Sequence, residues 1–155
     1  MKITKNFSLE ELTFSQTAAR LGIDNSPTPA ALDNLVRLAG MLENARFMLG
    51  VPIFVSSGYR CPALNNRVGG AANSQHLFGL AADFTAPAFG SPLAVAEAIA
   101  GSGMGFDQLI AEFGKWVHVS VPPDGAEPRR QRLTIDRLGT RTGLMEARAG
   151  GMEAA

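Results

Sequence analysis

Cysteine is nearly absent: Cys61 stands alone among 155 residues. No intramolecular disulfide can form, so the fold does not depend on an oxidising compartment, and a cysteine-rich metal cluster is excluded too. Excess charge of either sign is missing as well. Fourteen Lys and Arg balance fourteen Asp and Glu, a formal net charge of +0, which leaves no global electrostatic footprint for nucleic acid or an anionic membrane. Long apolar runs are absent. Every apolar stretch is broken by Gly, Pro or charge before the roughly 18 residues a membrane span requires. The segment from Met1 to Glu11 lacks the apolar h-region of a secretory signal. The expectation is a soluble protein, synthesised in the cytoplasm without a signal peptide, with no nucleic-acid partner and no membrane insertion.

What is present is enough apolar material for one core. The chain is 46% hydrophobic and 18% charged, the composition of a globular protein and not of a disordered one. Its length suits one domain, expected over residues 1–144. The Gly, Ala and Glu content of 145–155 predicts a mobile C-terminal tail. The arginines beyond Pro122 are expected to form a solvated, mixed-charge surface. No internal repeat is visible.

Local patterns place the elements. Ser8-Leu9-Glu10-Glu11 has the capping-box spacing and predicts a short helix. Thr28-Pro29 sets a capping hydroxyl before a helix-starting Pro. Leu32, Leu35, Val36, Ala39, Leu42, Ala45 and Leu49 then recur at helical spacing up to Gly50. Ile53-Phe54-Val55-Ser56-Ser57 reads as a strand. From Tyr59 to Leu80 the density of Gly, Pro and Asn predicts a long irregular excursion with at most a helical turn, the kind of segment that is usually functional in a small domain. A strand returns at Ala81-Ala82-Asp83-Phe84-Thr85, and Ser91-Pro92 opens a second helix to Gly101. Residues 107–112 and 116–121 read as a hairpin about Phe113-Gly114-Lys115. Leu133-Thr134-Ile135 is a candidate short strand.

The chain has only two histidines, His76 and His118. Asp83 follows His76 by seven positions at the start of a predicted strand, and His118 is mid-strand. Two imidazoles and a carboxylate are the donor set of a catalytic zinc site that keeps a fourth position open. Taken singly, each histidine reads as readily as a hydrogen-bonded structural residue, so the residues by themselves leave both roles open.

Four segments together resemble a known family: Ser57-Gly58-Tyr59-Arg60-Cys61-Pro62; Asn65 with Val68-Gly69-Gly70; Ser74-x-His76-x-x-Gly79-x-Ala81-x-Asp83; and Trp116-Val117-His118-Val119-Ser120. The likeness is to the zinc D-Ala-D-Ala carboxypeptidase family of peptidoglycan peptidases, close to its small phage-type members, and it runs from about Phe7 to Val121. It implies an α+β fold like that of lysostaphin-like peptidases and hedgehog amino-terminal domains, a central antiparallel sheet with flanking helices. It also implies a Zn2+ cofactor held by His76, Asp83 and His118, and it places the family's Arg on Arg60, where a fixed cation would hold a substrate carbonyl or oxyanion. Ser74 is a candidate substrate contact or loop-orienting residue.

The general base departs from a familiar pattern. Several members of the wider family carry an acid three residues before the last His ligand, and that position here is Lys115. If 112 pairs with 116 across the hairpin, the period of two puts Glu112 on the same sheet face as His118. Glu112 is therefore the candidate base, with Asp107, of opposite parity, as the fallback. The expected protein is a monomeric zinc metallopeptidase hydrolysing an amide bond in peptidoglycan stem peptides or cross-bridges, a phage or prophage endolysin acting on the wall after release. The rivals are a non-hydrolytic zinc-binding module and a virion structural protein with the same fold. Neither the bond cut, D,D or L,D, nor the choice of carboxy- or endopeptidase follows from the motifs.

Overall fold

The computed structural model describes residues 1–149 and shows an α+β domain. Three N-terminal helices come first: α1 (Leu9–Thr13), α2 (Gln16–Leu21) and α3 (Pro29–Leu49). They are followed by β1 (Phe54–Ser57), α4 (Pro62–Arg67), a 3-10 turn (Gln75–Phe78), β2 (Ala81–Thr85), α5 (Pro92–Gly101), β3 (Gln108–Glu112), β4 (Trp116–Ser120), β5 (Gln131–Asp136) and β6 (Gly139–Thr142). Side-chain oxygens of Ser8, Ser15, Thr28 and Ser91 cap the first turns of α1, α2, α3 and α5, each satisfying an amide that the helix leaves unpaired.

The strands form one six-stranded sheet in the order β1-β2-β4-β3-β5-β6. Four of its ladders are antiparallel, as expected for a central antiparallel sheet, but β5 runs parallel to β3. The reason is topological. β4 ends at the same end of the sheet where β3 begins, so a chain returning from there past β3 must run in the direction of β3. Hydrogen bonds from Arg130 N to Phe106 O and from Gln131 N to Asp107 O steer this return.

Period-two alternation gives the sheet two unlike faces. Ala82, Phe84, Leu109, Val117 and Val119 point to one side and join Leu35, Leu38, Leu42, Val95 and Ile99 of α3 and α5 in the core. Full burial of each large apolar side chain contributes about 1.5–3 kcal/mol, so this face supplies the stability and leaves the other to polar residues. On that other face lie Asp83, Ile110, Glu112, Trp116 and His118.

Several details differ from expectation. Val36 is 49% exposed, while Leu38 is buried. At about 100° per residue, Val36 falls past the stripe marked by Ala31, Leu35, Leu38, Leu42, Ala45 and Leu49. The excursion after Tyr59 holds more helix than one turn, because Pro62 supplies a preset φ at the start of α4 and Asn25 Oδ1 accepts from Cys61 N at 2.8 Å. The late arginines are engaged: Arg129 pairs with Asp107, Arg141 and Arg148 pair with Asp136, and Arg130 stacks 4.8 Å over Phe106. In the segment expected to be mobile, Met145 N bonds Thr134 Oγ1 at 3.1 Å and Arg148 N bonds Asp136 Oδ2 at 2.9 Å. The remainder of that expected tail, 150–155, lies outside the described residues. Among the described residues, no helix is long and apolar enough to cross a membrane.

Candidate metal centre and active site

The site is laid out by strand register. Ser57 on β1 is opposite Asp83 on β2, Asp83 is opposite His118 on β4, and His118 is opposite Ile110 on β3. Directly paired residues share a face, so these four side chains form a row across the strands. The β1 ladder shifts register between Val55 and Ser57, which sets Ser57 rather than Ser56 opposite Asp83.

His76 reaches this row from the 3-10 turn. Ser74 caps the turn, its Oγ accepting from His76 N at 3.2 Å, and Arg60 N donates to His76 O at 3.0 Å. The ring is buried, and its Nδ1–H donates to the Gly58 carbonyl at 2.7 Å. A carbonyl can only accept, so neutral His76 carries its proton on Nδ1 and turns the Nε2 lone pair toward Asp83, whose Oδ1 is 3.3 Å away. Two glycines make this packing possible. A Cβ on Gly58 would collide with the backbone carbonyl of Leu12, and one on Gly79, which has φ +71°, would stand 2.5 Å from Ala31 O.

His118 Nδ1 lies 3.0 Å from the same Asp83 oxygen, and the two imidazoles meet edge to face at 5.1 Å. One donor atom each from His76, Asp83 and His118 lies within 4.8 Å of the others. Burial opposes ionisation of Asp83, yet its contacts with His118 and then with His76 overcome it and hold the carboxyl well below the ordinary range. The set fits zinc by donor chemistry: two imidazole nitrogens and one ionised carboxylate, gathered in a buried site.

Glu112 is paired with Trp116 at the end of the hairpin, and its Oε1 is 3.7 Å from His118 Nδ1. The register is the one that the parity argument assumed, and it brings Glu112 to the donor triad. Its side chain is 16% exposed. Burial, followed by the charge of Asp83, raises the carboxyl above its usual range, against opposing contributions from His118, Trp116 and Arg60. Arg60 also lies at this centre. Its Nη2 donates to Ser74 Oγ at 3.3 Å while its Nε is buried without a hydrogen-bond partner. Burial lowers its pKa, opposed by the charges of Asp83 and Glu112.

Asp107 is elsewhere. It takes hydrogen bonds from Arg129 N, Nε and Nη2 and from Gln75 Nε2, and the Arg129 contacts first of all hold its carboxyl below the ordinary range. A carboxylate so occupied is a poor proton acceptor. Gln75 and Arg129 are thus structural neighbours of the site that sequence patterns did not mark. Gln75 adjoins a predicted ligand, and that was its only signal. Arg129 had none, because its placement depends on the parallel return to β5.

Residues 5–120 match the family described as Peptidase M15. No curated protein matches the chain.

Proposed function

The chain belongs to the Peptidase M15 family of zinc-dependent peptidases, and from that premise we propose that it hydrolyses an amide bond in the stem peptide or cross-bridge of peptidoglycan, serving a phage or prophage as an endolysin. The observation that carries the hydrolytic reading is the position of Glu112, a carboxylate 3.7 Å from His118 Nδ1 at the edge of the His76, Asp83, His118 triad. A binding module with the same fold has no need of an acid there.

In this reading His76, Asp83 and His118 hold the zinc ion. When bound, such an ion acidifies a water and polarises the scissile carbonyl. Glu112 accepts the proton of the attacking water and returns it to the leaving amide nitrogen. Arg60, a partly buried guanidinium near the charges of Asp83 and Glu112, stabilises the carbonyl oxygen as negative charge develops on it. Ser74 holds the Arg60 guanidinium from one side and caps the turn bearing His76 from the other. The similarity to small phage-type members supports the lytic role, in which a monomer acts on the wall after release from the cell.

The test is digestion of purified peptidoglycan followed by mass spectrometry of the released muropeptides. The zinc-loaded chain is expected to generate new amino termini, and Glu112→Gln to keep its zinc while losing on the order of a hundredfold or more in turnover. A zinc-loaded protein that releases nothing would make the non-hydrolytic module the better reading. Near-native turnover in Glu112→Gln would show that the base is misassigned.

A further inference from the structure

A recess of about 270 Å³ adjoins the metal triad on the β3 side, lined by Asn73, Ser74, Gln75, Gln108, His118 and Arg129 among others. We propose that it is a subsite for a carboxylate of the peptide substrate, read by Arg129. The inference rests on the peptidase reading above.

Arg129 is clamped. Asp107, whose side chain is 3% exposed, lies behind it and accepts from its backbone N at 3.0 Å, from its Nε at 3.1 Å to each oxygen, and from its Nη2 at 2.6 Å. A guanidinium carries five N–H donors. Asp107 occupies the Nε and Nη2 side, which leaves the Nη1 edge of a side chain that is 55% exposed and lines the recess. An ordinary surface arginine loses rotamer freedom when it grips a ligand, and this one has already lost it.

The clamp is also tied to the metal centre. Gln75 Nε2 donates to Asp107 Oδ2 at 3.0 Å, and Gln75 directly precedes His76. One network therefore sets both the turn that carries a metal ligand and the direction of the arginine. Arg129 lies beyond the residues 5–120 that match the family, so this device belongs to the chain's own C-terminal return.

The lining selects the ligand chemistry. Among the described residues it includes one cation and no acidic side chain, with Asn73, Ser74 and Gln108 as neutral polar groups. Because Asp107 neutralises Arg129, the recess exerts little long-range pull, and recognition is by short-range donor geometry. A carboxylate offers paired acceptors to a planar fork and gains most from it. His118 itself borders the recess. With adjacent strands about 4.8 Å apart and an extended peptide advancing about 3.4 Å per residue, the carboxylate falls within about two residues of the bond cut. It has two possible sources, the terminal carboxylate of the peptide or one carried by a residue within the chain.

The experiment is calorimetric titration of the zinc-loaded Glu112→Gln chain with four synthetic stem peptides: both carboxylates free, the terminal one amidated, the internal one amidated, and both amidated. One single amidation is expected to weaken binding about tenfold or more, the size of a lost charge-assisted hydrogen bond, and which one it is identifies the source. Adding Arg129→Gln should shrink that discrimination to within about twofold. Because Arg129→Gln leaves Asp107 unpaired, the combination Asp107→Asn with Arg129→Gln is measured alongside, with melting curves to verify folding. Equal binding of all four peptides, binding of none, or discrimination that survives both Arg129 variants overturns the subsite. Muropeptide release by the unsubstituted chain is scored separately, so failure of the peptidase reading stays distinguishable from failure of the subsite.

Discussion

Asp107→Asn separates a structural clamp from a catalytic base. The substitution keeps shape but removes charge, and whichever oxygen becomes an amide then faces donors. On the Oδ2 side those donors are Arg129 Nη2 at 2.6 Å, Gln75 Nε2 at 3.0 Å and Arg129 Nε at 3.1 Å. A hydrogen bond to a charged group contributes about 1.5–3 kcal/mol. Asp107 is buried but Arg129 is 55% exposed, so solvent screens the pair and replaces part of what is lost. A net cost of about 2 kcal/mol follows, which for a domain of this size lowers Tm by about 4–8 °C.

The pH dependence has a definite sign. The folded Asp107 carboxyl is held below its unfolded value by Arg129, so its contribution is fully present above the unfolded pKa, about 3.9, and fades as pH falls through the folded one. The gap in Tm between the native chain and Asp107→Asn should therefore be full at pH 6–7 and narrow below about pH 4. Differential scanning calorimetry across pH 3–7 reads this directly. In the same preparations, zinc should be retained and turnover should fall far less than in Glu112→Gln. A Tm unaffected at pH 7, a gap constant down to pH 3, or a turnover loss matching that of Glu112→Gln would refute the reasoning.

Other expectations follow from the same geometry. The purified chain should hold about one zinc ion, and His76→Ala, Asp83→Ala or His118→Ala should each remove most of it, as measured by atomic emission; full occupancy in two of the three would sink the ligand set. Gly58→Ala should cost about 1–3 kcal/mol and weaken zinc retention, because the collision with Leu12 displaces the carbonyl that orients His76; native Tm and zinc content would contradict that. Deleting residues from Met145 onward should lower Tm, since Asp136 is buried and loses the Arg148 guanidinium and backbone N–H together; an unchanged melting curve would show that these bonds contribute nothing.

Much of the site was legible because its parts are local or periodic. Ser74, His76 and Gly79 sit within one turn, so the cap, the candidate ligand and the left-handed glycine that ends the turn are set by neighbours in the chain. Glu112 and His118 share a face because a hairpin of known loop length fixes parity, and the observed pairing of Ile110 with His118 is the one that parity requires. Helix starts at Ser8, Thr28 and Ser91 were readable from a hydroxyl and the residues just after it.

Other features could not be read in this way, because they join residues far apart in sequence. The Gly58 carbonyl that selects the His76 tautomer is a backbone atom common to every residue, and only the packing of α1 against β1 brings it there. That Asp107 is held by Arg129 follows only from the return of the chain beyond Pro122 beside β3, which delivers the arginine to it. That return runs parallel because β4 ends where β3 begins, a constraint of sheet topology that no local pattern encodes. By itself, the sequence determined the strand parity, the caps and the residue types offered to a metal. The tertiary structure decided which carboxylate is bound by an arginine, Asp107, and which stands beside the histidines, Glu112, since distant partners neutralise charges that look alike in the chain.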